Sequence, residues 1–338
     1  MTKLNTSRRG FIGGSFAASA LLSSPAVFAR GPASYPRPDR ELMAAVPGGR
    51  VYVRVNGPLD GPNLPVVMIH GGPGGTHEDF LNLLALATDR AVILYDQLDS
   101  GLSDHPNDPK NWTVKRFIDE VDFVRRAVGI RHWHVMGHSW GGTIALEYGA
   151  RRPAELGGLV LASPLISTRS WIADADKLRA DLPAEVQTTL KRCERGRPTD
   201  ACWKATDNFY AHYLRRQPQS DGMRAYEAAH PGLKFNLQIY NAMWGSSEFV
   251  STGTLRQYDG EPRLAKLDGR RTLFIDGQYD EARPATLGAF AARVPGAAFS
   301  VVPNAGHLFY QDSPEEALGI LRPWLREQDA KQSQPLKP

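Results

Sequence analysis

Short apolar runs closed by turn residues recur along the chain, and segments with helical spacing separate them. Arg50 to Val55 alternates apolar and polar positions and reads as an early strand. Leu64 to His70 (LPVVMIH) and Ala91 to Asp96 (AVILYD) are continuous apolar runs. So are Trp133 to Gly137, Gly158 to Ala162 (GLVLA), Thr272 to Ile275 (TLFI) and Phe299 to Val302 (FSVV). Runs of this length, bounded by turns, fit strands buried on both faces. Between them, Val114, Phe117, Val121, Val124 and Val128 recur at three- and four-residue steps, which predicts a helix over Val114 to Val128. Gly142 to Arg151 and Pro314 to Arg326 read as further helices. Strands alternating with helices predict an α/β architecture with a mostly parallel sheet flanked by helices.

Residues 165–260 break this rhythm. They contain no convincing strand and are rich in aromatics, including Trp171, Trp203, Tyr210, Tyr240 and Trp244. The segment reads as a helical cap inserted between two parts of a core, 40–164 and 261–328. Such a cap lies over the carboxyl ends of the strands, where ligands bind. Gly31 to Pro38 is Pro-rich and reads as an extended lead-in.

The first 29 residues have a separate character. Ser7-Arg8-Arg9-Gly10-Phe11-Ile12 precedes a mildly apolar Gly/Ala-rich run, and Ala26-Val27-Phe28-Ala29 ends it with a small residue. This pattern predicts a twin-arginine-type signal peptide over residues 1–29, read by the twin-arginine export machinery. The expected destination is the periplasm or the medium, with no stable membrane association once the signal is removed. Of the formal net charge of +4, residues 1–29 contribute +3 through Lys3, Arg8 and Arg9, which leaves about +1 for the mature chain. The sequence pI of about 9.0 therefore carries no implication of a nucleic-acid partner. The only cysteines, Cys193 and Cys202, are nine residues apart. In an oxidising compartment they would be able to pair; the spacing leaves that open.

Gly137-His138-Ser139-Trp140-Gly141 is G-x-S-x-G between an apolar run and a helical segment. In that setting the serine projects above the sheet on a sharp turn, as a nucleophile requires. A nucleophilic serine needs a base, and the base an orienting carboxylate, in the chain order Ser, acid, His. Asp280 follows the run TLFI and His307 follows FSVV, so Ser139, Asp280 and His307 are the expected catalytic residues. Asp276 reads as a turn former and His138 as a buried hydrogen-bonded histidine. His70, His77, His132 and His134 lack a carboxylate in the right place. No H-E-x-x-H or C-x-x-C spacing points to a metal, and no cofactor is called for. His70-Gly71-Gly72-Pro73-Gly74-Gly75 follows LPVVMIH, and its free amides suit an oxyanion hole formed by Gly72 and Trp140.

Together these motifs resemble the proline iminopeptidase family of serine peptidases, over about residues 45–325. HGGPG is His70 to Gly74; Asp96-Gln97-Leu98-Asp99-Ser100-Gly101-Leu102-Ser103 is similar to the family's D-Q-x-G-x-G-x-S loop. Trp244-Gly245-Ser246-Ser247-Glu248-Phe249 is similar to its cap motif, and Gly277-Gln278-Tyr279-Asp280-Glu281 to its acid loop. The resemblance implies the α/β-hydrolase fold and a serine aminopeptidase acting on a peptide or amino-acid amide with a free N-terminal amine. It also implies that Glu248 and Glu281 hold that amine. Asp99 departs from the family's glycine and places an extra carboxylate near the expected site. An amidase or esterase on the same triad, or a non-catalytic binder on this scaffold, are the competing readings.

Overall fold

The computed structural model describes residues 34–194 and 199–332. The signal segment expected over residues 1–29 and the start of the lead-in lie outside the described residues. Eight strands form one sheet: β1 (Arg40–Val46), β2 (Gly49–Asn56), β3 (Val66–Ile69), β4 (Val92–Tyr95), β5 (Trp133–His138), β6 (Leu156–Ala162), β7 (Thr272–Gly277) and β8 (Ala298–Val302). Their order is β1-β2-β4-β3-β5-β6-β7-β8. β1, which has no counterpart among the expected strands, pairs antiparallel with β2, and β2 antiparallel with β4; all other pairs are parallel. The chain has the α/β-hydrolase fold. Seven runs read as strands form strands, but β8 is a sheet edge and leaves Phe299 and Val301 exposed rather than buried.

Side-chain alternation along each strand feeds two apolar layers. Val67, Ile69 and Phe274 point to the face covered by α1 (Val114–Val128) and α2 (Trp140–Ala150). Val66, Met68 and Ile275 point to the face covered by a 3-10 helix at His77–Thr88 and by the C-terminal helix. The helix read over Val114 to Val128 forms with those bounds: the Thr113 hydroxyl caps its start, accepting from the Arg116 amide, and Gly129 ends it at φ 86°.

Among the described residues, only helices follow β6 before β7. These are α3 (Thr168–Arg179), α4 (Ala184–Cys193), α5 (Asp200–Tyr213), α6 (Asp221–Ala229), α7 (Leu237–Met243), the short α8 (Glu261–Leu264) and a 3-10 turn at Gly269–Arg271. At the base of this insertion Ser167 bridges Asp259, and the Gly260 amide donates to the Ile166 carbonyl at 2.8 Å. Cys193 and Cys202 form a disulfide that joins α4 to α5. After β7 come α9 (Pro284–Ala291), α10 (Phe309–Asp312) and α11 (Pro314–Gln332).

Two glycines set the distance between α2 and the sheet. A Cβ at Gly137 would lie 2.1 Å from the Gly141 carbonyl oxygen, and one at Gly141 would lie 2.0 Å from that of Ile69. Both clashes are with backbone, so neither relaxes by a side-chain rotation. Gly137→Ala should therefore cost about 3 kcal/mol or more, whereas Gly129→Ala, with open space around its Cβ, should cost only about 1–2 kcal/mol for its left-handed backbone. Chemical denaturation of both variants checks the contrast; equal losses would contradict it.

Candidate active site

Ser139 sits between β5 and α2 with φ 56° and ψ −118°, a conformation non-glycine residues rarely adopt. The turn is held from outside: the Ser139 amide donates to the Ala162 carbonyl at 3.0 Å, and the Leu165 and Gly142 amides donate to the Ser139 carbonyl. Strain of this kind persists only where the surroundings over-determine it. A cavity of about 500 Å³ opens above Ser139, and His307, Gly72, Glu248 and Glu281 also line it.

His307 leaves the sheet after β8. Its Nδ1 lies 2.7 Å from Asp280 Oδ1, so the ring donates there and presents Nε2 to the cavity. Asp280 is buried. Besides His307, it accepts from the Ala282 amide at 2.7 Å, the Gly277 amide at 3.2 Å and the Ser163 hydroxyl. Burial alone would raise its carboxyl, but the charge of His307 and these hydrogen bonds pull it below the usual range.

The Ser163 hydroxyl is a contact that sequence reasoning missed. Ser163 follows β6 at φ 44°, and only the observation that β6 also ends beside Ser139 would have drawn attention to it. Of the two proposed oxyanion donors, Gly72 lines the cavity and Trp140 directly follows Ser139. Gly72 has φ 111° and precedes a cis peptide bond to Pro73. Trp140 is the first residue of α2, so its amide has no helical acceptor; its buried indole donates to Gln97 Oε1 at 2.9 Å.

Among the described residues His132 Nδ1 is buried without a partner; the other histidines outside the triad have structural partners. His138 is buried with its Nε2 3.0 Å from the His307 carbonyl oxygen, and it supports the loop that carries His307. His70 accepts from the Gln97 amide through Nε2 and reaches the Gly71 carbonyl through Nδ1, bracing the glycine loop. Two histidines do have carboxylate partners, though away from the nucleophile: His77 pairs with Asp96 and His134 with Asp329, each at 2.9 Å. Neither pair lines the cavity. The Asp99 carboxylate is also occupied elsewhere, accepting from the Trp112 indole at 2.8 Å and the Asn107 amide at 2.7 Å. Asp99 therefore serves its own loop, in a left-handed conformation at φ 65° that an aspartate tolerates.

A family model of the α/β-hydrolase fold matches residues 65–314. The chain is 35% identical over 285 residues to a proline iminopeptidase of Heyndrickxia coagulans, covering 83% of this chain and 96% of that relative. The chain belongs to the proline iminopeptidase family. A crystal structure of a proline iminopeptidase from Mycobacterium smegmatis matches with a TM-score of 0.76 and 32% identity, covering 87% of this chain and 100% of that one. The structure of VinJ matches with a TM-score of 0.78 and 33% identity, covering 86% of this chain and 100% of that one.

Within this family member, three carboxylates line the cavity: Asp79, Glu248 and Glu281. Glu248 accepts from the hydroxyls of Tyr210 at 3.0 Å and Tyr240. Glu281 is buried, with Oε1 3.7 Å from His307 Nε2 and Oε2 without a partner among the described residues. Burial first, then the charges of Glu248 and Asp280, push its carboxyl well above the usual range. Asp79, absent from the sequence reading, is half-buried; burial raises it to about 6, with Arg215 and His307 opposing. Nothing in its local sequence marks it as facing the cavity.

Asp276 is not a turn residue. It lies inside β7, opposite Val301, fully buried, and neither carboxyl oxygen has a partner among the described residues. Burial and the neighbouring Asp280 raise it to about 9. The unfolded chain would lose this proton near pH 4 and the folded chain only near pH 9, so Asp276 costs progressively more stability as pH rises between those values. Asp276→Asn should therefore raise the unfolding temperature relative to wild type more at pH 8 than at pH 4. A thermal-unfolding comparison showing equal shifts at both pH values would contradict this.

Proposed function

We propose that the protein is a serine aminopeptidase that releases an N-terminal residue, of the proline type, from peptides or amino-acid amides. The observation that carries this reading is the meeting of Glu248 and Glu281 with Ser139 and His307 in one cavity. Carboxylates crowded into a dry cleft repel one another, and a bound cation reverses that repulsion. A free α-ammonium at the start of a chain supplies such a cation next to the scissile carbonyl. The membership of the proline iminopeptidase family supports the same reading.

In this mechanism Ser139 Oγ attacks the carbonyl while His307 Nε2 accepts its proton. Asp280, bonded to His307 Nδ1, fixes the tautomer and stabilises the imidazolium. The Gly72 and Trp140 amides meet the developing oxyanion, an effect of about 3–4 kcal/mol per donor. His307 then gives the proton to the leaving amine. Water, activated by the same nitrogen, releases the acyl group from Ser139. Glu248 is fixed by two tyrosine hydroxyls and stays an acceptor for the ammonium; Glu281, held above the usual range by burial and by Glu248 and Asp280, releases its proton to solvent as the ammonium pairs with it.

Export by the twin-arginine route belongs to the same proposal. The Arg8-Arg9 segment and the Cys193–Cys202 disulfide support it, since disulfides persist in oxidising compartments.

Kinetics on a prolyl anilide, its N-acetyl form and a neutral ester test the reading. We expect blocking the amine to lower kcat/KM at least about 100-fold, comparable with loss of a charge-assisted contact. Glu248→Gln should lose most activity on the free-amine anilide and retain activity on the ester. Equal kcat/KM for free and acetylated substrates would overturn the amine-recognition role.

A further inference from the structure

We propose that the exposed apolar rim of the cavity is a leaving-group subsite, which selects substrates whose second residue is large and apolar. This rests on the aminopeptidase reading above. Seven large hydrophobic side chains are exposed among the described residues, and three of them, Trp203 at 49%, Phe235 at 47% and Leu237 at 54%, line the cavity that holds Ser139. Exposed apolar groups scattered singly need no explanation, but a cluster at the mouth of a catalytic cavity does.

The acyl residue has a confined place. Its carbonyl must reach Ser139 while its ammonium reaches Glu281, whose Oε1 is 3.7 Å from His307 Nε2. That residue therefore occupies the cavity floor beside the triad. A cavity of about 500 Å³ is the size of a whole small-molecule site, so substantial space remains above the floor. In an exopeptidase the leaving group is the part of the substrate that extends to solvent, and the exposed lining side chains are the ones such a group would meet.

The rim is also held in place before substrate arrives. Phe235 and Leu237 flank Asn236, whose amide donates to the Gly74 carbonyl at 2.8 Å and whose Nδ2 donates to the Asp99 carbonyl at 2.7 Å. These bonds pin the segment to the glycine loop and to the loop of Asp96–Ser103. Trp203 precedes Tyr210 by two turns on one face of α5, and Tyr210 is bonded to Glu248. A pre-set apolar surface loses little entropy on binding. Each methylene that the leaving group buries there should favour reaction by about fourfold at full burial. The carboxylates in the lining, Asp79, Glu248 and Glu281, disfavour an acidic second residue.

A series of Pro-X-amides with X as Gly, Ala, Leu, Phe or Glu tests this, using wild type and the Trp203→Ala, Phe235→Ala and Leu237→Ala variants. We expect wild-type kcat/KM to rise about tenfold or more from Gly to Phe and to be lowest for Glu. Each truncation should reduce kcat/KM for Phe at least about threefold more than for Gly. A flat wild-type series, or truncations that lower all substrates equally, would overturn the subsite. A flat series with turnover that still requires the free amine overturns this inference alone; turnover indifferent to amine blocking removes the aminopeptidase reading and the inference with it.

Discussion

Negative charge buried beside the nucleophile is the constraint around which this site is built. Glu281 and Glu248 share one cleft with Asp280 buried close behind, and a carboxylate in such a place ionises only with donors or a cation at hand. Asp280 receives four hydrogen bonds and is held as an anion. Glu248 receives two tyrosine hydroxyls. Glu281 receives no hydrogen bond among the described residues, and its Oε1 lies 3.7 Å from His307 Nε2, the nitrogen proposed to take the Ser139 proton. In the proposed function, a substrate ammonium resolves this conflict by pairing with Glu281 and leaving His307 free for chemistry. Substrate recognition and readiness of the base are thus linked through one carboxyl group.

The scaffold keeps these groups in register. Gly137 and Gly141 allow α2 to approach the sheet closely, and the backbone bonds to Ala162 and Leu165 hold Ser139 at its positive φ. The cap grips the catalytic loops directly. Tyr213 and Leu214, at the end of α5, accept from the His307 and Leu308 amides at 2.8 Å. Asn236, at the start of α7, is fastened to the glycine loop. The cap therefore carries Glu248 and at the same time supports the backbone of the base and of the proposed oxyanion donors.

The motifs that state their chemistry locally were legible in the sequence. G-x-S-x-G, the glycine loop and the residues after β7 and β8 sit at strand ends, where the α/β architecture brings them together. The helix at Val114–Val128 was legible because its apolar period is clean. What was not legible depends on side chains from distant segments. Ser163 matters only because β6 ends beside Asp280. Asp79 faces the cavity through the turning of a 3-10 helix whose sequence gives no such sign. β1 was missed because its alternation is weak on an edge, where Arg40, Glu41 and Met43 are exposed. Asp276 was misread because a charged residue at a strand end suggests a turn, whereas β7 runs on through it.

The most direct test of the account is the rate at which a fluorophosphonate probe labels the protein in the presence of prolinamide or N-acetylprolinamide, with the adduct located by peptide mass spectrometry. The account predicts an adduct on Ser139, slowed by prolinamide and not by its acetylated form. An adduct on another residue, or equal protection by both compounds, would contradict it.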